Sequence, residues 1–250
     1  MGIFDIFKGK SPPRPAEKPR SADKETARYA DAIYKRAQNY DRQEAIEVLS
    51  KKHTTDAAAG LLKRFTFVIE PSITDQEEKE TAFRGVVGTG KEALPAIREF
   101  CIKAESVTWP LRMMREILEN DEAYVTEVLA LLEKWDTEYD RNADPKVQLV
   151  STLEEVKDAR IRPAIERFLD DVNEPTRFHA VTTLLAQGDA AAAGPLARAM
   201  AKEEAVRTIN RIAEGLATKE WAIPEGDRAG VAERLPRGYK LDAEGIVRRR

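Results

Sequence analysis

A six-residue block, Pro95-Ala-Ile-Arg-Glu-Phe100, returns as Pro163-Ala-Ile-Glu-Arg-Phe168, 68 residues further along the chain. A third relative, Pro195-Leu-Ala-Arg-Ala-Met200, follows 32 residues after the second. Midway between the first two, Val128-Leu-Ala-Leu-Leu-Glu-Lys-Trp135 keeps the same apolar rhythm without a proline. A repeat of about 34 residues is the length of one helix pair. Such a pair cannot bury its apolar faces alone, so successive pairs must stack and share a continuous core. Each proline falls in the first turns of a second helix, where a missing N–H costs little.

The surrounding pattern agrees. Ala, Leu, Glu, Lys and Arg dominate, and these side chains lose little entropy in a helix. Apolar spacing predicts helices over 22–38, 41–52, 55–68, 75–87, 91–104, 109–119, 122–136, 145–157, 160–170, 174–187, 190–201 and 203–217. Turn and cap chemistry separates them at Pro71, Gly88-Thr-Gly90, Asn120-Asp121, Asn142-Ala-Asp144-Pro145, Asn173-Glu-Pro175 and Gly188-Asp189. Leu153, Val156, Ile161, Ile165, Phe168 and Leu169 are expected to form one core layer. Ala180, Leu184, Leu185, Leu196 and Met200 are expected to form the next.

The chain therefore divides into a short amphipathic segment (1–8), a proline-rich basic linker (9–20), a helical repeat domain (21–220, clearest over 74–217) and a C-terminal cap or tail (221–250). In the last, Tyr239-Lys-Leu241 and Ile246-Val247 flank Asp242-Ala-Glu-Gly245, as in a small hairpin, and the chain closes on three arginines.

Asp144-Pro145, Glu174-Pro175, Gly188-Asp189 and the proline-started second helices resemble the HEAT family, in particular its short bacterial kind. The resemblance implies an all-α superhelix of stacked antiparallel helix pairs. It also implies a non-catalytic scaffold or adaptor that binds proteins on the concave, second-helix face. Repeat motifs specify fold far more than function.

On that face Arg98 and Arg198 share one offset from their prolines, with Arg167 one place further on. Together with Lys103, Arg160, Arg162 and Lys202 they predict a basic strip suited to an acidic peptide or helix. The competing reading is ion pairing between repeats, to Glu99 and Glu166. At the N-terminus, Ile3, Phe4, Ile6 and Phe7 can share one face of a short helix, beside Lys8, Lys10, Arg14, Lys18 and Arg20. This segment reads as a tether to a partner's groove or as a weak peripheral contact with anionic lipid. Folding back on the solenoid is the plainer alternative.

Other chemistries find little footing. The net charge of −3 does not suit nucleic acid. His53 and His179 are far apart and read as structural, as does Cys101 in an apolar run. Gly85-Val-Val-Gly-Thr-Gly-Lys91 lacks the spacing of a phosphate loop. No cofactor is expected, and the default compartment is the cytoplasm, as a monomer or weak oligomer. The alternative is a nucleic-acid binder or a DNA-repair glycosylase of the alkylpurine type, which is also built from HEAT-like pairs. It would draw on Trp109, Trp135 and Trp221 with Asp136 or Glu116.

Overall fold

The computed structural model describes residues 21–250. Its helices are α1 (Ser21–Ala32), α2 (Asn39–Ser50), α3 (Thr55–Leu62), α4 (Ser72–Gly88), α5 (Leu94–Lys103), α6 (Thr108–Leu118), α7 (Asp121–Leu132), α8 (Asp144–Ser151), α9 (Ile161–Ile165), α10 (Glu174–Gln187), α11 (Ala193–Lys202), α12 (Val206–Lys219) and α13 (Arg228–Arg234). Tight 3-10 turns extend several of them, notably Lys63–Thr66 after α3 and Glu166–Asp170 after α9.

The helices form two layers. Even helices pack on even helices from α2 through α12, and odd helices on odd helices from α1 through α13, the 3-10 turn after α9 making the contact with α11. The fold is thus an all-α superhelix of stacked helix pairs. The core lies between the layers, and both groups of residues expected to fill it are buried: Phe168, Ile165, Leu184, Leu196 and Met200 are wholly excluded from solvent.

Helix starts follow the capping chemistry. Thr54, Asn120 and Asn173 each accept a hydrogen bond from the backbone N–H three residues on. Asp189 accepts from the N–H two residues on, that of Ala191. At α8 the expected cap shifts: Asp144 is the first helical residue, and Asn142 accepts its N–H instead. Gly188 closes α10 with a φ of 80°, a left-handed conformation that glycine adopts without strain.

Several boundaries differ from expectation: α4 begins at Ser72 rather than 75, and α7 ends at Leu132 rather than 136. α1 stops at Ala32 rather than 38; the chain turns over the next residues, with Ala37 N–H bonded to Tyr34 O, and the carbonyl of Ala37 accepts Arg42 Nη1 at 2.9 Å. α13 was not expected, and its seven residues sit between Pro224 and Pro236. The hairpin is present as β1 (Tyr239–Leu241) paired antiparallel with β2 (Val247–Arg249). With α13 it covers the last pair, β2 against α12 and α13 against α11. Its arginines are not a free tail: Arg248 pairs with Glu220 and Asp242, and Arg249 with Glu214.

Strict alternation gives the stack two edges. Odd-to-even loops gather on the first, even-to-odd turns on the second. Cross-links between neighbouring loops fix this arrangement. On the first edge Asn142 Nδ2 donates to Glu105 O at 2.9 Å and Val172 N to Thr137 O at 3.1 Å. On the second, Thr55 Oγ1 donates to Glu92 O at 2.9 Å and Arg162 Nε to Asp189 at 2.5 Å.

Candidate functional site

The arginine strip is assembled in the odd layer, but it is not a free basic surface. Arg98 makes a bidentate pair with Glu127 at 2.5 and 2.6 Å. Arg198 Nη1 lies 3.1 Å from Asp227. Arg162 bridges Glu166 and Asp189, and Lys103 pairs with Glu99. Lys202 pairs with Asp170, and Arg160 with Asp158. Arg167 donates to Leu132 O and lies over the Phe168 ring, 4.3 Å from its centroid. Each cation of the strip has a partner in the chain. Glu99 and Glu166, the acceptors expected for pairing between repeats, instead take Lys103 and Arg162 four residues away in sequence, and the links between helix pairs run from Arg98 to Glu127, Arg162 to Asp189 and Arg198 to Asp227. The first cause of the raised Arg98 pKa is its hydrogen bond to Glu127. An acidic ligand would have to displace these carboxylates.

Ile3, Phe4, Ile6 and Phe7 lie outside the described residues. The tryptophans are dispersed. Trp109 on α6 packs against Phe65 and Phe83, with ring centroids 5.2 and 5.8 Å away. Trp135 follows α7, and Trp221 is buried beneath the C-terminal cap. Asp136 caps its own loop by accepting the N–H of Glu138. His179 Nδ1 lies 2.8 Å from Glu154, and Cys101 is buried, its thiol pushed up to about 12 by burial. Among the described residues no three His, Cys, Asp or Glu side chains are grouped to hold a metal ion. No described helix is long and apolar enough to cross a membrane.

Charge is also buried inside the first edge, where no local pattern in the chain announces it. Arg42 and Arg64, both buried, converge on Glu78 at 2.9 and 2.6 Å. Arg64 also reaches Asp75 at 2.8 Å. Burial opposes the Asp75 charge, but Lys79, Arg64 and the Ile69 N–H outweigh it and hold its pKa below the ordinary value. Further along, Lys146 is fully buried with its ammonium 2.5 Å from Asp140 and 2.8 Å from Asp171. It also donates to the carbonyls of Asp136 and Glu138 at 3.1 and 3.3 Å. Burial works against this ammonium; the two carboxylates more than compensate and raise its pKa. Asp140 Oδ2 and Asp171 Oδ2 have no other polar partner. These clusters hold the loops of the first edge in place.

What those loops display is apolar. Tyr34 lies between α1 and α2, and Tyr40 is two residues beyond that loop. Val68 and Ile73 flank the start of α4, and Ile102 ends α5. Tyr139 (81% exposed), Val172 (55%) and Val206 (71%) mark the last three loops. Among the described residues, every large apolar side chain that is mostly exposed lies on this edge, in a loop or within two residues of one. Single exposed apolar residues are normal on any surface. Confinement to one of two equivalent edges is not. Around the last three loops the exposed carboxylates Glu133, Glu138, Asp144 and Glu204 have no ion-pair partner among the described residues, against Lys134 and Arg141. That part of the edge is apolar with an acidic surround.

Two grooves cross the odd layer. One of about 570 Å³ lies between α3 and α5, floored by Ala59, Leu62, Pro95, Ala96, Phe100 and Ala104. Its counterpart between the turn after α9 and α11 is about 260 Å³ and sets Glu166, Arg167, Asp170, Arg198 and Lys202 around Leu169, Pro195 and Ala199. In the even layer a cleft of about 490 Å³ opens between α6 and α8, with Arg112 and Arg115 facing Glu116, Glu154 and Glu155. Arg112 stacks on the rings of Trp109 and Phe83 at 4.4 and 5.0 Å.

No protein-family profile matches the chain, and no curated protein sequence is detectably similar to it.

Proposed function

We propose that this chain is a non-catalytic adaptor of the HEAT kind that docks a protein partner along its first edge. Membership of that family rests on the proline-started second helices, their spacing and the two-layer stacking. The docking surface rests on one observation, the confinement of Tyr139, Val172, Val206 and the other exposed apolar side chains to that edge. Neighbouring helices lie about 8–10 Å apart, so six loops draw a row about 50 Å long. That length suits an extended or helical partner segment with apolar anchors. The unpaired acids around Tyr139 favour a partner with basic flanks, the opposite of what the arginine strip suggested.

Affinity capture from the native cell compares three full-length proteins. Tyr139→Ser/Val172→Ser/Val206→Ser is expected to lose at least tenfold of the captured partner. Arg98→Glu/Arg167→Glu/Arg198→Glu is expected to retain it. The reverse pattern returns docking to the arginine strip, and no specific capture by the unaltered chain removes the adaptor reading.

A further inference from the structure

In the cleft between α6 and α8, Arg112 is anchored without being paired. Its guanidinium rests on the Trp109 and Phe83 rings and has no hydrogen-bond or ion-pair partner among the described residues. Arg162 and Glu166, the same residue types at the same spacing, do pair, at 2.5 Å. Arg112 and Glu116 do not; the guanidinium lies on the rings instead. On the facing wall, Gln148 Oε1 accepts the Val107 N–H at 2.6 Å and the Ser106 hydroxyl at 3.1 Å. Its Nε2 donors therefore stand without an acceptor among the described residues. This end of the cleft, toward the first edge, offers donors only.

The other end offers carboxylates. Glu116 lies one turn beyond Arg112, and Glu155 about two turns beyond Gln148. Neither has a partner among the described residues, and Glu154 beside them is held by His179 at 2.8 Å. α6 and α8 both start at the first edge, so the two walls run from donor to carboxylate in the same direction. Arg115, between the poles, is committed to Asp121 at 3.1 Å and to the Tyr124 ring at 4.8 Å. The floor is apolar, with Leu111 and Tyr124 buried beneath it. Neither a plain anion nor a plain cation suits such a cleft, because three carboxylates repel the first and two guanidinium groups the second.

We propose that this cleft binds a basic amino acid, free or as the last residue of a chain, with its carboxylate on Arg112 and its side-chain cation between Glu116 and Glu155. Four residues of helix set the poles of α6 about 6 Å apart. An extended lysine carries its carboxylate and ammonium about 6–7 Å apart at ordinary bond lengths. Its methylenes then lie on Leu111 and Tyr124, and the planar guanidinium of Arg112 can take the carboxylate through two parallel hydrogen bonds. The volume of about 490 Å³ falls within the range of small-ligand sites, about 300–1,000 Å³.

Calorimetric titration of the full chain tests the proposal. Lysine or arginine is expected to bind saturably. The amide of the one that binds, which lacks the carboxylate, and norleucine, which lacks the cation, are expected to bind at least tenfold more weakly. The Nα-acetyl form imitates a chain end: equal binding assigns the site to C-terminal residues, and a tenfold loss assigns it to the free amino acid. Arg112→Gln is expected to abolish the preference over the amide, and Glu116→Gln/Glu155→Gln the preference over norleucine. All three side chains are exposed, so the thermal midpoint is expected to stay that of the parent. No saturable binding of lysine, arginine or their Nα-acetyl forms, or amides that bind equally well, overturns the proposal. Tyr139, Val172 and Val206 are intact in these variants, so the outcome is independent of the partner-capture result.

Discussion

At the scale of single residues, the strongest interactions are those the sequence conceals. Lys146 looks like an ordinary charge in the first turn of a helix, yet its ammonium is wholly buried between Asp140 and Asp171. Its partners precede it by six residues and follow it by a whole helix pair, and no local pattern announces such a meeting. Removing one member of a buried pair costs more than the pair is worth, because the other charge stays desolvated. Lys146→Ala is therefore expected to destabilise the fold by about 3–5 kcal/mol. Lys146→Met/Asp140→Asn/Asp171→Asn, with every charge removed, is expected to recover most of that loss in a denaturant titration. Equal stability of both variants would refute a compensated cluster. The arginines of the odd layer were partly legible for the same reason. Their alignment follows from the repeat, and pairing between repeats was foreseeable, but Glu127 and Asp227 lie 29 residues from Arg98 and Arg198 and sit on other helices.

Among the elements, helix identity was readable because a 3.6-residue apolar period survives throughout, and caps such as Asn120 and Asn173 lie where their side chains can close the first turn. What failed was anything set from outside the helix. The turn after α1 places the Ala37 carbonyl on buried Arg42, and α13 has too few residues between its prolines to show a period. The exposed row was illegible too, since periodicity reports faces of helices and says nothing of edges. Close packing between elements supplies a test. A Cβ on Gly85 of α4 would lie 2.7 Å from Ser50 Cα, so backbone of α2 occupies the space. Backbone cannot swing aside as a side chain can. Gly85→Ala is expected to cost about 1–3 kcal/mol despite its better helix propensity. Gly226→Ala, with open space around it, is expected to stay within about 0.5 kcal/mol of the parent in thermal unfolding.

For the whole molecule, a stack in which each pair touches only its neighbours must cover its last layer. Here residues 221–250 do so with mixed structure. Trp221, Ile223, Val231 and Val247 are buried, over a terminal helix whose Ile212 and Leu216 are fully excluded from solvent. The cap is held by Arg228, which donates to the carbonyls of Ile223 at 3.0 Å and Glu244 at 2.9 Å. Its guanidinium lies so close that a Cβ on Gly245 would meet Arg228 Nε at 2.4 Å, and Gly245 has a φ of 82°, so only glycine fits that corner. If this is a cap, its loss bares the apolar end of the stack, and bared ends associate. Ending the chain at Glu220 is expected to give concentration-dependent oligomers in sedimentation velocity and a lower unfolding midpoint. The truncated chain could also fail to fold, so Trp221→Ser/Val231→Ser in the full chain is the companion: it keeps the hairpin and Arg228 but weakens the apolar seal, and is expected to associate less than the truncation and more than the parent. A truncated chain that stays monomeric with an unchanged midpoint would show that the stack closes without these residues, and that the hairpin serves some other surface.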